Sequence, residues 1–149
     1  MRVVATELPE VLLLEPRVFA DSRGRFSETF NARRFAEHTG LDVTFVQDNA
    51  SVSFANVLRG MHYQIQQPQG KLVRAALGRI FDVAIDLRRS SPRFGQWVSR
   101  ELDADSGHQM WIPAGFAHGF LALSDECHVV YKTTDYYAPQ HEQIGRAHV

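Results

Sequence analysis

The sequence predicts an all-β fold, an antiparallel barrel or double-sheet jelly roll with one short helix near the N-terminus. Three observations predict it. Short runs with strand-like alternation of apolar and polar residues recur along nearly the whole chain. Glycine, proline, asparagine and aspartate punctuate those runs at short intervals. Only one segment has helical character, so helices cannot form a layer of their own.

The clearest strand is 80–87, where Phe81, Val83, Ile85 and Leu87 share one face. Gly78-Arg79 reads as the turn joining it to 72–77. Further strands are predicted at 11–14, 26–30, 45–49, 51–54, 57–64, 97–102, 109–112, 120–123 and 128–134. The helix is 32–38. Asn31 can cap its first turn, Gly40 stops it, and Phe35 is its contact with the core. A jelly roll of this kind can hold a ligand in its mouth.

The 149 residues suit one domain spanning 1–149. A 44% hydrophobic and 22% charged composition excludes a disordered chain. The net charge of −1, with scattered lysine and arginine, excludes a nucleic-acid surface. No apolar run is long enough to span a bilayer, and the N-terminal segment lacks the apolar core of a signal peptide. The single cysteine, Cys127, excludes an internal disulfide. A cytoplasmic location is therefore expected.

Candidate chemistry concentrates in two segments, 58–64 and 113–120, each with a histidine close to glycines. His62 shares a strand face with Gly60 and Gln64, whereas Arg59 has the opposite parity. If Arg59 and His62 line one pocket, the chain must bulge near Gly60. His118 ends a pattern in which five residues separate Gly107 from Pro113, one separates Pro113 from Gly115, and two separate Gly115 from His118. This resembles the second motif of cupins, a jelly-roll superfamily. The first motif of metal-binding cupins has two histidines at i and i+2, then a glutamate. Here the segment reads His62-Tyr63-Gln64, with no glutamate in the next ten residues. An amide is a poor ligand for zinc or iron, so a metal-free site is expected.

Tyr131 shares the face of Val129 and Thr133 on strand 128–134. It is either a core aromatic with its hydroxyl at a rim or a proton donor. Lys71 follows Gly70 at a strand start. It is either solvated or, inside a pocket, a cation for a developing oxyanion. No phosphate-binding glycine loop exists. Cys127 and His128 face opposite sides of their strand and make a poor nucleophile–base pair.

Segments 21–28, 47–51, 58–64, 82–88, 113–120 and 131–139, with Gly70-Lys71 and Ser91-Pro92, together resemble the dTDP-4-dehydrorhamnose 3,5-epimerase family. The resemblance runs in order from about Leu14 to Glu142. It implies a cupin-like jelly roll, a homodimer, and a dTDP-linked 4-keto-6-deoxy sugar as substrate, with no cofactor. The 4-keto group acidifies the hydrogens on C3 and C5. A base removes one, leaving an enolate, and an acid returns a proton to the opposite face. By resemblance His62 is the base, and an unperturbed imidazole pKa of about 6.5 suits that work. Tyr131 is the acid and Lys71 stabilises the enolate oxygen, with Arg59 and His118 beside them.

Binding roles also follow from the resemblance. Arg23, Phe26 and Glu28 belong to an N-terminal segment that crosses to the nucleotide of the other subunit. Gln47 and Asn49 face the nucleotide, Arg59 holds the diphosphate, and Tyr137, next to Tyr136, is a pocket tyrosine. Family members continue beyond the Tyr-Ala-Pro segment into a tail whose aspartate orients the base. Of residues 140–149 the last few do not look like that tail, and the segment contains no aspartate. A less firmly oriented base and lower stability are expected, with Asp82 as a substitute carboxylate. Four alternatives stay open. They are an epimerase acting at C3 only, a 4-keto sugar isomerase, a nucleotide-sugar binding module without turnover, and an iron-dependent cupin dioxygenase.

Overall fold

Alternation gives each strand an inner and an outer face, and two antiparallel sheets bury their inner faces against each other. The computed structural model describes residues 1–144. One sheet runs in the order β1 (Arg2–Ala5), β2 (Leu12–Glu15), β10 (Gln109–Ile112), β7 (Lys71–Leu77), β12 (Glu126–Thr133), β5 (Gln47–Phe54). The other runs β13 (Glu142–Ile144), β6 (Leu58–Gln64), β11 (Phe116–Ala122), β8 (Arg79–Asp86), β9 (Trp97–Asp103). β3 (Val18–Asp21) and β4 (Gly24–Ser27) form a separate hairpin. This is the jelly roll expected from the sequence. No helix among the described residues is long and apolar enough to cross a membrane.

The core lies between the sheets. Val73, Met110, Ile112 and Val129 come from the first, and Ile80, Ala84, Leu102, Phe116 and Phe120 from the second. Burying each large apolar side chain contributes roughly 1.5–3 kcal/mol. A second cluster, Leu14, Leu72 and Trp111, covers the outer face of the six-stranded sheet. Helix α1 (Ala32–Thr39) presses Phe35 onto it, with Phe30 and Phe45 edge-on or tilted at 5.3–5.9 Å between ring centroids. The helix ends as its residues require. Asn31 accepts a hydrogen bond from the Arg34 backbone N–H at 3.0 Å, and Gly40 takes the left-handed conformation that ends it.

Several elements differ from the sequence expectation. Runs 45–49 and 51–54 are one strand, β5, because β12 pairs with it without interruption. The strand expected at 26–30 stops at Ser27, since Phe30 turns away into the aromatic cluster. β11 begins at Phe116, earlier than position 120. β1, β3 and β13 were not expected; each is only three or four residues long and is defined by its partner strand rather than by its own pattern. In β8 the alternation is present, but the deeply buried face is the one with Ile80, Asp82, Ala84 and Asp86. Phe81, Val83 and Ile85 are only half-buried on the other side.

Candidate active site

The two histidine segments become neighbouring strands. β6 and β11 pair antiparallel with His62 opposite His118 and Arg59 opposite Phe120. Between those pairs β6 has one residue more than β11, so β6 bulges, as the parity of Arg59 and His62 requires. The extra residue brings Arg59 and His62 to the same cavity. Glycines allow the close approach there. A Cβ on Gly60, whose φ is +107°, would sit 2.7 Å from the Gly119 Cα, and one on Gly119 would sit 2.8 Å from the Arg59 carbonyl oxygen.

The cavity has a volume of about 410 Å3 and opens between the sheets. His62 and His118 enter it from the five-stranded sheet, Lys71 and Tyr131 from the six-stranded sheet. The candidate base and the candidate acid therefore stand on opposite walls. Arg59, Gln47, Asn49 and Tyr137 line the same space. Tyr136 does not, which separates the two adjacent tyrosines.

His62 Nδ1 lies 2.8 Å from Glu142 Oε1. An ionised carboxylate only accepts, so Nδ1 carries the proton and Nε2 keeps a lone pair. Tyr137 donates its hydroxyl to the other Glu142 oxygen at 2.6 Å. Burial pushes the Glu142 carboxyl up, but the hydrogen bonds from Tyr137 and His62 outweigh it and hold the group below its ordinary value. The same contact raises the Tyr137 hydroxyl. Glu142 is the cavity residue at His62 that the sequence reading missed. β13 places it, pairing Glu142 with Gln64 and Ile144 with His62.

Asp82, the expected substitute partner of His62, is not its partner. It accepts from His118 Nε2 at 2.6 Å on the strand beyond β11, with both side chains buried. The reason is register: Asp82 is opposite Phe120 in the β8–β11 pair, two residues from His118 and a full strand away from His62. Of the C-terminal residues 140–149, 145–149 lie outside the described residues.

Lys71 is only 8% exposed. Burial lowers its ammonium from the ordinary lysine value to about 8, and the charges of Asp82 and Glu142 oppose the shift. Tyr131 stands close by, with the Lys71 Nζ 5.8 Å from its ring centroid and the His118 ring 6.4 Å away. Arg59 is anchored by hydrogen bonds to Ser53 Oγ at 2.7 Å and the Val52 carbonyl at 3.1 Å. The Gln47 amide donates to Asn49 Oδ1 and accepts from the Tyr137 backbone N–H. Gln64, at the position a metal-binding cupin would use, spends its amide on backbone. It donates to the Gln67 and Tyr136 carbonyls and accepts from the Ala138 N–H.

Arg23, Phe26 and Glu28 are not brought to this cavity. Arg23 pairs with Asp21 at 2.6 Å on the β3–β4 hairpin, and Phe26 is 70% exposed there. Glu28 pairs with Arg34 at 2.8 Å beside α1.

Comparison with known proteins agrees with this geometry. The profile of the dTDP-4-dehydrorhamnose 3,5-epimerase family matches residues 5–148. A dTDP-4-dehydrorhamnose 3,5-epimerase of Pseudomonas aeruginosa is 59% identical over 143 residues, 96% of this chain and 79% of its own. The crystal structure of a dTDP-6-deoxy-D-glucose-3,5-epimerase from Legionella pneumophila, in complex with dTDP-4-keto-L-rhamnose, superposes with a TM-score of 0.93 at 50% identity. It covers 95% of this chain and 75% of that one. A 3'-monoepimerase from Streptomyces bikiniensis, in complex with dTDP-quinovose, has a TM-score of 0.88 at 33% identity, covering 97% and 72%. By its sequence and its fold alike, the chain belongs to the dTDP-4-dehydrorhamnose 3,5-epimerase family.

Proposed function

We propose that this protein inverts C3 and C5 of dTDP-4-dehydro-6-deoxy-D-glucose by proton abstraction and return through an enolate. The observation that carries the reading is the placement of His62 and Tyr131 on opposite walls of one cavity, with Lys71 between the sheets. Inversion needs a base on one side of a carbon and an acid on the other. His62 Nε2 takes the C–H proton. The electrons move onto the 4-keto oxygen, where the Lys71 ammonium meets the charge. Tyr131 delivers a proton to the other face. Arg59 holds the diphosphate in a charge-assisted contact, and Gln47, Asn49 and Tyr137 line the path toward the nucleotide.

Glu142 acts through His62 by fixing which ring nitrogen faces the sugar. Glu142→Gln is expected to lower kcat by about 10–100-fold, the usual consequence when an imidazole loses its orienting partner. Binding of dTDP should change little, and steady-state kinetics beside a thermal-shift titration with dTDP checks both.

The reading includes a homodimer. Arg23, Phe26 and Glu28 lie on or beside a hairpin and do not line the cavity of their own chain, with Phe19 51% and Phe26 70% exposed. Val52, Phe54 and Leu77 add exposed apolar side chains on the six-stranded sheet. A second copy would cover these groups, and Phe26 and Arg23 would then reach its nucleotide, the aromatic ring stacking on the base.

The test is direct. The protein is incubated with the 4-keto sugar nucleotide, and ring proton couplings are read by NMR. Inversion at both C3 and C5 supports the proposal. Inversion at C3 alone moves the chain to the 3-epimerases. No inversion, with dTDP still raising the melting temperature, makes it a binding module.

A further inference from the structure

Asp82 is fully buried and does not line the cavity; His118 stands between it and the sugar space. One carboxylate oxygen takes the His118 Nε2 hydrogen bond. The other, Oδ2, is buried without a hydrogen-bond partner among the described residues. An orphaned carboxylate oxygen is costly in a core and calls for a reason. Lys71 enters from the facing sheet, and its Nζ has no side-chain hydrogen bond or ion pair among the described residues. A buried anion with a spare oxygen thus sits behind a site that holds a buried, unpaired cation.

Resting on the epimerase reading, we propose that Asp82 is a positioning residue. It holds His118 with Nδ1 toward the sugar, as acceptor for a ring hydroxyl, and its buried charge keeps the Lys71 ammonium charged beside the enolate. Asp82 itself transfers no proton. Its hydrogen bond places the His118 proton on Nε2, so Nδ1 is left as an acceptor. The ionisable groups that line the cavity with Lys71 are Glu142 on β13, His62 on β6, His118 on β11 and Tyr131 on β12. Asp82 on β8 acts on it from behind His118. Both Glu142 oxygens are taken, by His62 and Tyr137, whereas Asp82 spends only one. Burial favours the neutral amine, and of the two carboxylates opposing it Asp82 has the stronger effect.

The test uses Asp82→Asn, which keeps the side-chain size. Its kcat should fall on the order of 10–100-fold with KM within about twofold. The alkaline limb of its kcat/KM profile should move to lower pH by about one unit, a shift that a merely structural role would not produce. Nitrogen-15 NMR of the wild-type protein should show the His118 proton on Nε2, and the variant should show mixed tautomers. An unmoved alkaline limb with kcat unchanged, or a wild-type His118 protonated on Nδ1 alone, overturns the proposal. If the variant does not fold, the wild-type histidine spectrum still decides the ring assignment. A wild-type protein that inverts no sugar centre refutes the epimerase reading instead, and the histidine spectrum separates the two failures.

Discussion

Replacing His62 with alanine lowers the rate of epimerisation on the order of 10²–10⁴-fold, the contribution of a positioned general base. His62 is the imidazole whose proton is fixed on the far nitrogen, by Glu142 at 2.8 Å, leaving Nε2 to accept. The loss should fall on kcat. Affinity for dTDP should stay within about twofold, since uniform binding is untouched when only a transition-state contact is removed. Both quantities come from initial rates by NMR and a thermal-shift titration. A His62→Ala protein that still inverts both centres at the wild-type rate would assign the base elsewhere.

Lys71→Met should cost activity and add stability at once. Removing the cation from the enolate oxygen is expected to lower kcat about 10²–10³-fold, the effect of deleting one preorganised oxyanion partner. Stability moves the other way because burial depresses the folded-state pKa from 10.5 to about 8. For a cation depressed in this way the cost is fully present below about pH 8. It fades as pH rises toward the unfolded value, since between the two the unfolded chain binds more protons. That difference of 2.5 units corresponds to about 3 kcal/mol at neutral pH. Lys71→Met should therefore raise the melting temperature at pH 7, with the gain shrinking between about pH 8 and 10. The wild-type kcat/KM should fall as pH rises through about 8, when the ammonium becomes an amine. Thermal unfolding at several pH values, beside rate profiles, measures all three. A variant that loses stability at every pH would remove Lys71 from the role of a strained functional cation.

The way strands reached the site was partly legible in the sequence. Parity required a bulge if Arg59 and His62 were to share one pocket, and the β6–β11 register contains it. The position of Tyr131 on the face of Val129 and Thr133 pointed inward, and both neighbours are fully buried. Asn31, Phe35 and Gly40 marked the helix because capping and stop signals are local. What failed was long-range. Glu142 is 80 residues from His62, and the strand that carries it is three residues long, too short for any pattern. Alternation offers Asp82 to the wrong histidine, because it tells which face a residue takes and not which neighbour strand lies beside it. The apolar face of β8 looked like the core side. The carboxylates on the other face are buried beside partners, His118 for one oxygen of Asp82 and Arg88 for Asp86, pairings that one sequence does not reveal. Arg23, Phe26 and Glu28 lie outside the cavity of their own chain, and their proposed role depends on a second copy.

The claim on which the mechanism turns is that His62 and Tyr131 serve opposite faces of the same carbon. It is tested by following the 4-keto sugar nucleotide in deuterated water with wild-type protein and with Tyr131→Phe. Deuterium at C3 and C5 with inversion is the expected result for the wild type. For Tyr131→Phe deuterium should enter without inversion, because His62 still exchanges with solvent and returns its deuteron to the face it came from. Inversion by Tyr131→Phe at the wild-type rate would contradict the two-sided site.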